Sequence, residues 1–146
     1  MDAAESMRFY NAVPFMQLLG IERVFSEGGR ARLAVEASRE LENPIRAMHG
    51  GVVATLLDVV MASAAVSQIG FARTAVTLDM NISYLQPGRG RLTADGEVLA
   101  LAADGDTVQC RAEVRDDAGQ CVARAMGSFR YLPLPLPLPL SSASPV

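Results

Sequence analysis

One histidine and two cysteines are all that this 146-residue chain offers a transition metal. His49, Cys110 and Cys121 show no ligand spacing, which argues against structural zinc, and no metal ligands are assigned. There is no GxGxxG and no phosphate-cradling glycine loop, so no cofactor is expected. Charge is sparse, at 20% of residues, with a net value of −3. An acidic chain of pI about 5.1 lacks the basic face that nucleic acid requires, so no nucleic-acid partner is expected. A local arginine cluster could still bind a small anion. The opening residues Met1-Asp2-Ala3-Ala4-Glu5 lack the basic start and apolar run of a secretory signal. The longest mostly apolar stretch, Gly50 to Ala65, is interrupted by Asp58 and falls short of the ~20 residues of a bilayer span, so no membrane partner is expected. A turn near Asp116-Asp117-Ala118-Gly119 would set Val114 opposite Cys121 and leave Cys110 offset, which disfavours a disulfide. Reduced cysteines without a signal point to the cytoplasm.

What is present is half hydrophobic and long enough to bury a core. Residues 1–132 read as one domain, and 133–146 as a Pro/Leu-rich tail that is extended and then disordered. Apolar positions at helical spacing run from about Met7 to Leu19, broken by Pro14. Gly20 opens a strand through Val24, and Gly28-Gly29 turns the chain into a second strand with Ala31, Leu33 and Val35 on one face. A polar loop, Ser38 to Met48, leads to a helix from Gly51 to about Gln68, ended by Gly70. Val76, Leu78, Met80, Ile82 and Tyr84 then alternate with Thr77, Asp79, Asn81 and Ser83, the signature of a strand with one polar side. Strands at about Arg91–Leu101, Thr107–Arg115 and Gln120–Tyr131 complete the set. Short links make the strands mostly antiparallel, and one large sheet wrapping a single central helix buries both, giving an α+β fold.

On a 100°-per-residue wheel, Gly51, Ala54, Thr55, Met61, Ala62 and Ala65 fall on the side of Asp58. Leu56, Val60, Val53, Val52 and Ala64 fall opposite, suited to the sheet. An aspartate in a helix interior has poor propensity and is costly if buried unpaired. It serves equally well, on this basis, as a catalytic carboxylate or as the partner of an arginine. The loop Asn43-Pro44-Ile45-Arg46-Ala47-Met48-His49-Gly50-Gly51 leads into the same helix. Glycines there would let a substrate approach the free N–H groups and the positive end of the helix dipole. That is the chemistry of an oxyanion hole. His49 alone reads more readily as an ordinary loop histidine, and Gly50-Gly51 as a helix start. Gly50 and Asp58 are eight residues apart, about 12 Å along the axis, too far to act on one carbonyl from one helix. Two antiparallel helices could combine them, which makes a dimer the smallest active unit.

The pattern Asn43-x5-His49-Gly50-Gly51-x6-Asp58, at the start of a long apolar helix, resembles the PaaI-type acyl-CoA thioesterases of the hotdog superfamily. The block Val76-Thr77-Leu78-Asp79-Met80-Asn81-Ile82-Ser83-Tyr84-Leu85-Gln86-Pro87 resembles the strand that follows that helix in the family. The resemblance covers about Phe15 to Leu132. It implies a hotdog fold and hydrolysis of acyl-CoA, with Asp58 as general base or nucleophile and the Gly50 N–H polarising the thioester carbonyl. It implies that Asn43 and His49 hold the loop and substrate, and that Thr77 lies near the catalytic water. A β-branched strand filler is an equal reading of Thr77. Gly51 is assigned to substrate binding, and Arg89 and Arg91 are candidates for the CoA phosphates. The resemblance also implies a homodimer with edge-to-edge sheets, commonly doubled into a homotetramer. The rivals are a non-catalytic acyl-CoA sensor, an acyl-thioester dehydratase or hydratase, and an interaction protein using its Pro-Leu tail.

Overall fold

The computed structural model describes residues 2–135, and the expected disordered end of the tail lies outside them. Two short helices, α1 (Ala3–Asn11) and α2 (Pro14–Leu19), open the chain. Asp2 and Glu5 form a reciprocal cap on α1, and Pro14 begins α2 where its missing N–H costs nothing. Strands β1 (Glu22–Glu27) and β2 (Arg30–Val35) follow. They are joined by Gly28 and Gly29, both at positive φ, as a two-residue hairpin of this twist demands. Then come a 3-10 turn (Arg39–Leu41), the long helix α3 (Gly50–Gln68) and four strands. These are β3 (Thr74–Tyr84), β4 (Leu92–Leu101), β5 (Thr107–Arg115) and β6 (Cys121–Leu132).

All strand pairs are antiparallel, in the order β1-β2-β4-β5-β6-β3. The chain passes from β2 through α3 to the far edge before β4 returns beside β2. The helix therefore crosses the whole sheet, and the sheet closes over it. By length and mean hydropathy, 1.7, α3 could cross a bilayer. Here its apolar surface is buried by protein: Leu56, Leu57, Val60, Met61 and Ala64 are fully buried against Leu33, Leu92, Val108, Val114 and Phe129. Each large side chain so buried stabilises the fold by about 2 kcal/mol. At Gly96 on β4, an added Cβ would stand 2.8 Å from the Val60 carbonyl oxygen, so the helix backbone rests directly on the strand there.

Both edge strands carry a bulge. In β3, Thr77 pairs with Phe129 and Asp79 with Ser128, leaving Leu78 as an extra residue. The regular alternation read from 76 to 84 therefore fails at this point. Met80 and Ile82 pack on the core side, but so do Ala75 and Thr77, while Val76 and Leu78 are exposed. In β1, Arg23 pairs with Leu33 and Phe25 with Arg32, so Val24 is the extra residue. The strand expected to start at Gly20 begins at Glu22, because Gly20 caps α2 in the left-handed region. Cys121 opposes Arg115, not Val114, because the β5–β6 register shifts by one at that end. Cys110 and Cys121 are both free thiols. The small-residue face of α3 is also narrower than the wheel suggests: Met61 and Ala65 are fully buried, and the open stripe is Gly51, Ala54, Thr55, Asp58, Val59 and Ala62.

Candidate active site

Asp58 projects from the middle of this open stripe, and its carboxylate is half-exposed. The Thr77 hydroxyl donates to Asp58 Oδ1 at 2.6 Å. The β3 bulge makes this contact possible. A regular strand with Met80 and Ile82 facing the helix would turn Thr77 away, and the extra residue at Leu78 restores it to the helix side. Among the described residues, Asp58 has no arginine within ion-pair distance, so its partner is a neutral donor that leaves the second carboxylate oxygen open.

His49 is the N-cap of α3, and its Nδ1 accepts the Gly51 N–H at 2.9 Å. A ring nitrogen that accepts must be unprotonated, so the neutral imidazole carries its proton on Nε2. The His49 N–H donates to the Leu41 carbonyl, and the Met48 N–H to that of Gly88. Asn43 organises the same loop: its Oδ1 accepts from the N–H groups of Ile45 and Ala47, both at 3.1 Å. Arg46 takes a left-handed conformation, φ 62°, inside the turn so formed. Together these bonds fix the direction of the first turn of α3. Among the described residues, no acceptor engages the Gly50 N–H, which lies at the positive end of a 19-residue helix.

Tyr84 was not foreseen as a site residue. Its hydroxyl donates to the Gly50 carbonyl at 2.8 Å, and its ring lies about 3.5 Å from where a Gly50 Cβ would be. Its signal in the sequence was its place as the last member of the apolar series on β3. The candidate phosphate ligands are both engaged within the chain. Arg89 donates to the Ile45 carbonyl and so braces the loop, and Arg91 is held by Glu22 and Glu36. The structure thus brings Asp58 and Thr77 together in one place, and Asn43, His49, Gly50, Gly51 and Arg89 in another. The two groups stand about two turns apart along one helix, roughly 12 Å.

A cavity of about 310 Å³ opens beside Asp58 and Thr77, bounded by α1, β1, α3 and the start of β3. A larger depression, about 660 Å³, lies on the sheet face away from the helix. Six of its seven charged residues pair as Arg32–Asp95, Arg111–Glu97 and Arg124–Glu113, Arg30 being the seventh, and none of the expected site residues reaches it.

Comparison with known proteins gives this arrangement its context. A protein of Halobacterium salinarum named "Putative esterase" is 32% identical over 124 residues, covering 79% of this chain and 82% of that protein. A Shewanella oneidensis protein described as related to the thioesterase superfamily superposes with a TM-score of 0.75 at 27% identity, over 89% of this chain and 99% of its own. The Escherichia coli PaaI protein from the phenylacetic acid degradation operon superposes with a TM-score of 0.77, over 86% of this chain and 88% of its own. At 24% identity that last likeness shows the fold alone. The family model described as "Domain of unknown function (DUF4442)" matches residues 2–129. The chain therefore belongs to the DUF4442 family and has the hotdog fold of thioesterase-superfamily proteins.

Proposed function

We propose that this protein hydrolyses acyl-CoA thioesters in the cytoplasm, at a site completed by two copies of the chain. The observation that carries the reading is the Thr77–Asp58 hydrogen bond at 2.6 Å on the open face of α3, two turns from an unengaged Gly50 N–H. The esterase-named relative and the thioesterase-superfamily neighbour support a hydrolase of this kind.

In the proposed reaction the thioester oxygen accepts the Gly50 N–H at the start of one helix. Asp58 of the partner subunit takes a proton from water, whose oxygen attacks the carbonyl carbon. Thr77, bound to one carboxylate oxygen, holds the other toward that water. The tetrahedral oxyanion forms where the helix dipole is positive. It collapses with cleavage of the C–S bond, and the CoA thiolate leaves with the proton that Asp58 took from water, which restores the carboxylate. Asn43, His49 and Arg89 act by fixing the loop that presents Gly50. Gly51 lends its N–H to the His49 cap and allows close approach. An imidazole whose Nδ1 is occupied by a cap and whose Nε2 carries the proton is not poised as a base, which disfavours the dehydratase reading.

The test is CoA release from short, medium, long-chain and aryl acyl-CoAs by the wild type and by Asp58→Asn. Wild-type turnover with a loss of roughly a thousandfold in kcat for the variant is expected of a general base. Equal turnover by the two proteins would remove Asp58 from the mechanism. Binding of acyl-CoA without turnover by either would make the protein a sensor.

A further inference from the structure

Arg23 is an unusual lining residue for a cavity beside a catalytic carboxylate. The β1 bulge turns it inward, as the β3 bulge turns Thr77. Its Nη2 donates to Ser63 Oγ at 2.9 Å and its Nη1 to Asn11 Oδ1 at 3.3 Å, while the guanidinium lies 5.3 Å from the Tyr10 ring centroid. All of these partners are neutral. The Arg23 Nε is buried with no acceptor. The Tyr10 hydroxyl, also buried, lies beside Thr74. Arg23 and Tyr10 both line the cavity, and the guanidinium there, bonded only to neutral groups, has no carboxylate partner among the described residues.

A buried donor left unmatched is costly, and a cation more so. The group that would balance the guanidinium is an anion, and its fork fits a carboxylate. The position within the cavity sets the distance. Ser63 lies five residues beyond Asp58 on α3, about 7.5 Å along the axis. Thr74 lies three residues before Thr77 on β3, roughly 10 Å along the strand. Between these ends the lining is apolar, from Val59, Ala62 and Ala75. The cavity is therefore polar at the Asp58 end, apolar in the middle and cationic at the far end.

We propose that the Arg23–Tyr10 end binds a carboxylate, and that the acyl groups hydrolysed beside Asp58 are ω-carboxyacyl chains of about five to seven carbons, at roughly 1.3 Å advance for each C–C bond. This rests on the thioesterase reading for its chemistry, but the carboxylate site can be tested without it. The methylenes of such a chain occupy the apolar middle, and its distal charge lies away from Asp58. Arg23 and Tyr10 are specificity residues here and take no part in bond cleavage. Burial pulls the Arg23 pKa below its ordinary value, with Tyr10 opposing the fall, and a bound carboxylate would relieve that penalty.

The experiment has two arms, each run on wild type, Arg23→Met and Arg23→Lys. In the first, kcat/KM is compared for glutaryl-, adipoyl- and pimeloyl-CoA against pentanoyl-, hexanoyl- and heptanoyl-CoA. The wild type is expected to prefer the carboxylated member of each pair by about tenfold to a hundredfold, the scale of a charge-assisted hydrogen bond. Arg23→Met abolishes that preference by raising KM for the carboxylated substrates alone, and Arg23→Lys restores part of it. In the second arm, glutarate and adipate are titrated against the thermal transition, with pentanamide and hexanamide as neutral controls. A rise in Tm from the dicarboxylates alone, absent in Arg23→Met, is the supporting result. Hydrolysis of plain acyl-CoAs with no preference overturns the carboxylate site and leaves the thioesterase standing. Stabilisation by dicarboxylates without hydrolysis of any thioester keeps the carboxylate site and removes the thioesterase. Absence of both removes both, and the wild-type comparisons decide even where Arg23→Met fails to fold.

Discussion

Cys110 and Cys121 illustrate how far one residue's surroundings decide its chemistry. Cys110 is fully buried on β5, where loss of solvation pushes its thiol up from 9.0 to about 12. Cys121 is half-buried, and its Sγ lies 3.6 Å from the Ala123 carbonyl. The thiolate is the nucleophile, so iodoacetamide at neutral to mildly alkaline pH is expected to modify Cys121 in the native protein and Cys110 only after unfolding. Mass spectrometry of the labelled protein checks the order. The same burial fixes the sign of a pH effect. Cys110 holds its proton more tightly in the folded state than in the unfolded chain. Its contribution to stability is thus complete below about pH 9 and is lost as pH rises toward 12. Burial raises Tyr10 and Tyr131 as well, so they act in the same direction. The melting temperature is expected to fall from pH 9 to 11, and less steeply in Cys110→Ala.

At the scale of elements, α3 and the strands beneath it depend on one close approach. Alanine at Gly96 would drive its Cβ to 2.8 Å from the Val60 oxygen and 2.9 Å from the Val60 carbon, both backbone atoms that cannot swing aside. Gly96→Ala is therefore expected to destabilise by about 2–3 kcal/mol. That lowers Tm by roughly 10 °C, measurable by calorimetry. The sequence made most of the elements legible because each rests on a local signal: the period of α3, the glycine pair of the first hairpin, the short links that separate β4, β5 and β6. The bulges were not legible, since an extra residue in a strand is defined by its partner across the ladder and leaves no local mark. This is why the alternation places Thr77 on the right strand but on the wrong face of it. Arg23 was missed for the same reason. His49 and Asn43 were readable as loop residues, but their actual work, capping α3 and bracing the turn, depends on bonds that close only in three dimensions.

At the scale of the whole molecule, the β3 edge is long, and its Val76, Leu78 and Tyr84 are more than 40% exposed. An eleven-residue edge with apolar side chains would be hazardous if left uncovered, which accords with the proposed pairing of two copies through it. Light scattering is expected to give a mass of two or four chains. The double variant Val76→Asp, Leu78→Asp is expected to give a folded single chain without turnover, with circular dichroism and scattering separating loss of assembly from loss of fold. The opposite edge is built differently. β1 has six residues, a bulge at Val24, and Glu22 and Glu27 at its ends. A sheet sticky at one border and blunt at the other stops growing once the sticky borders have met. The bulge that aims Arg23 inward thus also leaves that border without the straight run of pairing groups on which a further sheet could be laid.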